Sequence, residues 1–151
     1  GAVPPRRTSR GVHRALGRPD AALDHYRLAL QYQPDLADAH YNLANLLQAR
    51  REFEPALAHY REALRWNPAL ADAHNNWGVA LDSLGKPAEA AAHYRAALQL
   101  DPRHADAHNN LGLTLEASGR RDEALVHYRQ ALQANPSHPG AAANLARLNA
   151  P

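Results

Sequence analysis

A period of 34 residues constrains this chain more than any other feature. The phrase ADAHYN occupies residues 37–42, and ADAHNN follows at 71–76 and 105–110. A second phrase, HYR-x-A-L, keeps step with it from His25, His59, His93 and His127. A period of a few tens of residues marks a stacked array. One unit cannot bury its own apolar face and covers it with the next. Such arrays more often bind than catalyse. The period also weakens the usual reading of 151 residues as one domain, because length here counts units.

Each unit reads as two helices. In residues 36–69 the first half carries Ala39, Leu43, Leu46 and Leu47, and the second Ala56, Leu57, Tyr60, Ala63 and Leu64. Both sets follow the spacing of a helical stripe. Asp38 stands in a first turn, where a carboxylate suits the helix dipole. Gly85 and Gly119 fall where a helix ends in the left-handed region. Arg51 occupies that slot in the first full unit, which predicts strain there. Pro55 suits a helix opening. Pro34, Pro68, Pro102 and Pro136 close the second helices, and their action on the preceding residue makes Asn67, Asp101 and Asn135 the expected helix ends. Strand signals are absent.

Small residues recur in step. Ala44, Gly78 and Gly112 share one slot of the first helix. Ala22, Ala56, Ala90 and Ala124 share one slot of the second, and Ala29, Ala63, Ala97 and Ala131 another. Tyr26, Tyr60, Tyr94 and Tyr128 fill the space that these small residues leave. The pattern is a packed helix pair repeated along an axis.

These residues resemble the tetratricopeptide repeat family, together with Leu43, Trp77 and Leu111 at a further signature offset. The resemblance implies an all-α fold, a right-handed superhelix of antiparallel helix pairs. It implies repeats at 36–69, 70–103 and 104–137, with 17–35 as the second helix of a partial repeat. Residues 138–151 become a capping or truncated helix, and 1–16 a basic leader or degenerate first helix. His40, His74 and His108 replace the family's usual Trp.

In that family the first helices line a concave face where partners lie. Carried over, the peptide-binding positions are Asp38, Tyr41, Asn42, Asn45, Asp72, Asn75, Asn76, Asp106, Asn109, Asn110 and Asn144. Gln48, Val79, Asp82, Leu113 and Glu116 also point inward. Asn42, Asn76, Asn110 and Asn144 form a ladder with one amide per first helix, and neighbouring helices pack roughly 8–10 Å apart. An amide both donates and accepts, so it can pair with any peptide backbone. The competing reading has these asparagines brace adjacent helices through backbone groups. The ladder and the phrase ADAHNNLG are also similar to the superhelical region of O-linked N-acetylglucosamine transferases, which adds a substrate-presenting role as the alternative. No glycosyltransferase domain lies in the chain. Another subgroup clamps a peptide carboxylate with Lys and Arg, but the matching slots here hold Asp38, Asp72 and Asp106, of the wrong sign.

The expected partner is therefore a protein or peptide, with no cofactor and no metal. The chain holds no Cys, which excludes disulfides and Cys-based zinc sites. His104 and His108 stand at i, i+4 with Asp101 and Asp106 nearby, the one metal-like pair, and polar packing is the preferred reading. Ser9, Ser83, Ser118 and Ser137 have no evident base, and Ser137 beside His138 is not a triad. The chain is read as a non-enzyme.

Arg6, Arg7, Arg10, Arg14 and Arg18 make the first eighteen residues basic. The rest carries 12 Lys+Arg against 15 Asp+Glu, about −3. Arg27, Arg61, Arg95 and Arg129 form a stripe on the second helices, read as a solvated outer face more than a nucleic-acid surface. No membrane span or signal peptide is visible, and a cytoplasmic protein is expected. Arginine outnumbers lysine sixteen to one, a GC-rich coding bias that suggests a bacterial source. The chain begins at Gly1 and lacks Met, which suggests a processed chain or a fragment. The face formed by Ala142, Leu145, Ala146 and Leu148 is expected to cap the last repeat or to meet another copy.

Overall fold

The computed structural model describes residues 19–150, so the expectations for residues 1–16 lie outside the described part. Within it stand eight helices: α1 (Pro19–Tyr32), α2 (Ala37–Ala49), α3 (Phe53–Trp66), α4 (Ala71–Ser83), α5 (Pro87–Leu100), α6 (Ala105–Ala117), α7 (Arg121–Ala134) and α8 (Pro139–Asn149). The described residues form no strand. Helices α2/α3, α4/α5 and α6/α7 pack as hairpins, α3 leads onto α4, α5 onto α6 and α7 onto α8, and α1 packs on α2. This is the all-α repeat superhelix that the family resemblance implies.

The turns within the hairpins share one geometry. Arg51 has φ 64°, Gly85 73° and Gly119 75°. In each, the next residue's N–H reaches back to the helix: Glu52 to the Leu47 carbonyl, Lys86 to Leu81 and Arg120 to Leu115, all at 2.9 Å. This is the Schellman closure that uses orphan helix carbonyls. Arg51 holds the left-handed conformation at the steric cost that Gly85 and Gly119 avoid. The turns between hairpins use a different device. Asn67, Asp101 and Asn135 cap α3, α5 and α7 in extended conformation. Their side-chain oxygens accept the N–H of Ala69, Arg103 and Ser137 at 3.0–3.1 Å.

The core is built on Tyr60, Tyr94 and Tyr128, the largest fully buried side chains. Each packs over the small slot of the paired first helix. A Cβ at Gly78 would stand 2.5 Å from Tyr94 Cε1, and one at Gly112 2.6 Å from Tyr128 Cε1. Ala44 takes the slot under Tyr60, so the first hairpin seats its tyrosine differently. Trp77 packs against both apolar clusters, one around α1–α3 and one around α4–α8. It stacks on His93 with centroids 4.3 Å apart and thus joins the clusters into one continuous core.

The final helix caps the last repeat through the expected Leu145 and Leu148, with Ala141 in place of Ala142 and Ala146. Ala141 and Leu148 are buried and Leu145 is half-buried, whereas Ala142 and Ala146 are exposed. Residues 141, 145 and 148 follow the i, i+4, i+7 stripe, while 142 and 146 lie about 100° further round the helix. Arg121 donates to the Leu148 carbonyl and holds the end of α8.

Candidate functional site

The contacts among helices show which face is inner. First helices touch first helices, α2 with α4 and α4 with α6, whereas α3, α5 and α7 have no comparable contact with one another. The row of first helices is therefore the tighter, inner side of the arc. No helix of the described residues is long and apolar enough to cross a membrane.

The asparagine ladder makes side-chain bonds along this row. Asn76 Nδ2 donates to Tyr41 Oη at 3.2 Å and Asn45 Oδ1 at 3.0 Å. Asn110 Nδ2 donates to Asn75 Oδ1, and Asn144 Nδ2 to Asn109 Oδ1, both at 3.0 Å. The ladder thus ties each first helix to the one before it. The bonds go to side chains, not to the backbone groups of the competing reading. Asn75 and Asn109, expected on the binding face, are only 6% and 8% exposed and act as acceptors inside this stitching. Asn42 is half-exposed and enters none of these bonds.

Beyond the ladder, the lane is polar at one end and apolar further on. The Tyr60 hydroxyl lies 2.7 Å from both Asn45 Oδ1 and Gln48 Oε1 and has one proton to donate between them. With Asn76, Arg51, Phe53 and Ser83 they line a cavity of about 560 Å³. Val79 and Leu113 take the Asn45 position in the next two repeats, and Leu113 is 42% exposed. Asp82 and Glu116 take the Gln48 position. The Tyr94 hydroxyl donates to Asp82 Oδ2 at 2.6 Å, and the Tyr128 hydroxyl to Glu116 Oε2 at 2.8 Å. Arg147 grips Glu116 with two bonds of 2.5 and 2.8 Å. Those bonds hold the Glu116 carboxyl down at about 2. Burial pushes the Asp82 carboxyl up, against the hydrogen bond from Tyr94.

Most of the described histidines are structural polar groups in two repeating sets. His104 and His138 precede α6 and α8, and their Nδ1 atoms accept the N–H of Ala107 and Ala141 at 3.2 and 3.0 Å. The ring proton must then sit on Nε2, which donates to Asp72 and Asp106 at 2.8 Å. An offset of 32 residues from acid to ring was readable in the sequence and was missed. Asp38 faces Leu70 at that offset and has no such partner. The second set joins first and second helices. The Nδ1 atoms of His40 and His59, His74 and His93, and His108 and His127 approach within 2.9, 3.1 and 2.9 Å. His40 and His108 donate from Nε2 to the Pro34 and Pro102 carbonyls at 2.9 Å. Their Nδ1 atoms therefore accept from His59 and His127. Both nitrogens of His104 and of His108 are thus engaged. No group of three or more His, Cys, Asp or Glu among the described residues is placed to hold a metal.

The outer face is occupied by solvated charge. Arg61 lies over Trp77 at 6.0 Å, and Arg27 pairs loosely with Asp24 at 3.9 Å. Ser83 and Ser118 donate their hydroxyls to the carbonyls of Val79 and Thr114 within their own helices. Neither is set against a base.

Three family models match the chain. One described as Tetratricopeptide repeat matches residues 75–139 and 111–150, together half of the chain. One described as TPR repeat matches 12–50, and another described as Tetratricopeptide repeat matches 37–69. No curated protein matches. Among solved structures, a crystal structure of MamA is 27% identical with TM-score 0.74, over 80% of this chain and 70% of that one. PilF of Pseudomonas aeruginosa is 28% identical with TM-score 0.75, over 86% and 68%. The first TPR of Spaghetti (RPAP3), bound to the HSP90 peptide SRMEEVD, shares the fold at 20% identity and TM-score 0.70, over 74% and 89%.

Proposed function

The chain belongs to the tetratricopeptide repeat family, and we propose that it is a protein–protein interaction module. Its inner groove takes an extended segment of a partner, and it has no catalytic role. The observation that carries this reading is Asn42. It stands in the ladder, half-buried, and among the described residues its amide makes no hydrogen bond, whereas Asn76, Asn110 and Asn144 each give an N–H to the preceding first helix. Asn110 keeps a second N–H beyond the one given to Asn75. Such amides can pair with backbone whatever the side chains of the segment. The peptide held by the Spaghetti repeat domain supports the use of this fold for such segments. That peptide is acidic, whereas the groove here carries Asp38, Asp72, Asp82 and Asp106, so a segment of the opposite charge is expected.

The ladder favours a second reading, in which the groove presents substrates to a glycosyltransferase of the O-linked N-acetylglucosamine class. A catalytic domain encoded in the same gene would decide for it.

The test separates grip from bracing. Replacing Asn76 and Asn110 together removes interhelical bonds as well as groove amides, so both stability and affinity fall. Asn42→Ala removes a groove amide alone. Peptides selected on the intact chain from a random extended-peptide library should bind this variant roughly 3- to 10-fold more weakly, the loss of one hydrogen bond. Its Tm should not change. Unchanged affinity for Asn42→Ala, measured by fluorescence polarisation, overturns the groove reading.

A further inference from the structure

The last repeat shows what the groove's acidic positions receive. Glu116 is fixed from beneath by the Tyr128 hydroxyl and gripped from the groove side by the Arg147 guanidinium. Arg147 comes from the next first helix, 31 residues on. One repeat earlier the same socket exists without its cation. Asp82 is fixed by Tyr94 at 2.6 Å, and the residue 31 positions on is Leu113. That leucine cannot pair with a carboxylate, and it is 42% exposed on the groove lane. Among the described residues Asp82 makes no ion pair, and its second oxygen enters no bond with the chain. Val79 extends the apolar surface toward Asn45. One repeat further back the socket is neutral, with Gln48 beside the Tyr60 hydroxyl. Of the three equivalent positions, only Asp82 holds an uncompensated negative charge beside an apolar seat.

We propose that Asp82, Leu113 and Val79 form a specificity subsite for a basic side chain of the partner segment, arginine above lysine, next to an apolar residue. The guanidinium takes the place that Arg147 takes on Glu116, and its flat fork matches a carboxylate already oriented by a tyrosine. The neighbouring apolar side chain covers Leu113 and Val79, which removes water from the ion pair and strengthens it. This subsite rests on the groove reading above and deepens it by naming the chemistry of the segment.

The probe is an array of synthetic nonapeptides in a serine–alanine frame, with every pair of adjacent residues scanned at the centre. The intact chain should select Arg beside Leu, Val, Ile or Phe. For the selected peptide, Asp82→Asn should weaken binding about tenfold or more, as expected for a charge-assisted bond. The variant should also lose the salt dependence that the wild type shows. Leu113→Arg supplies the missing cation from within and fills the seat, so it should abolish the preference for basic residues while keeping the fold. If Asp82→Asn binds the selected peptide as the wild type does while Asn42→Ala still weakens it, the subsite is wrong and the groove reading stands. If the array selects acidic or charge-indifferent pairs, the subsite is likewise wrong. If neither substitution affects binding, both readings fall.

Discussion

Tyr94→Ala is expected to destabilise the array by about 3–5 kcal/mol, the range for removing a large buried aromatic side chain. Tyr94 is buried between α4 and α5, with its ring against Gly78 and its hydroxyl on Asp82. Gly78 has no side chain with which to refill the void. Tyr94 also sits in the middle of three stacked hairpins, so its loss loosens contacts on both sides. In an array each unit is stabilised largely by its neighbours. Urea denaturation followed by circular dichroism measures the effect. A change below about 0.5 kcal/mol, typical of a neutral surface substitution, contradicts the packing described here.

Acidification should unfold the array through its histidine pairs. Burial, reinforced by the facing ring, lowers His59, His93 and His127, and burial lowers His74. Glu62, Glu89 and Glu123 oppose the shifts on His59, His93 and His127, and Arg27 and Arg95 add to those on His59 and His127. Each pair shares one proton between its Nδ1 atoms, and a second would set two N–H groups against each other. The folded state therefore binds these protons more weakly than the unfolded chain. Stability is full above about 6.5 and is lost as pH falls toward about 4, the value to which His93 is lowered. The rings are only partly shielded from solvent, so we expect on the order of 1 kcal/mol per pair after screening. Thermal melts between pH 8 and 4 check this. Replacing His59, His93 and His127 with Gln should flatten the slope, and a triple variant as acid-sensitive as the wild type counts against the mechanism.

Much of the fold was legible because every repeat states the same local rule. Gly85 and Gly119 marked the left-handed turns, and Arg51 in their slot adopts the same φ. Asn67, Asp101 and Asn135 marked the helix ends. On α8 the leucines were placed correctly and the alanines were not, because in a short alanine-rich helix several stripes look equally apolar. Only the docking of Leu148 into the cluster that also holds Leu111, Leu115 and Tyr128 selects one. The site was legible as a set of positions and not as a set of roles. Periodicity places Asn75 and Asn109 on the first helices, but their burial depends on how closely those helices approach. The pairing of Asp72 with His104, and of Asp106 with His138, needed the offset between repeats, which no single-helix pattern contains. Asp82 and Glu116 look alike in sequence, and Arg147 on α8 alone separates them.

On the groove reading, a partner segment lies along the inner row of first helices. Nuclear magnetic resonance mapping of a library-selected peptide onto the isotopically labelled chain tests it most directly. Shifts are expected in the side-chain amides of Asn42 and Asn110 and in the methyl groups of Val79 and Leu113. The outer residues Arg27, Arg61, Arg95 and Arg129 should stay still. Shifts confined to that outer stripe, with the inner amides and methyls unmoved, would contradict it.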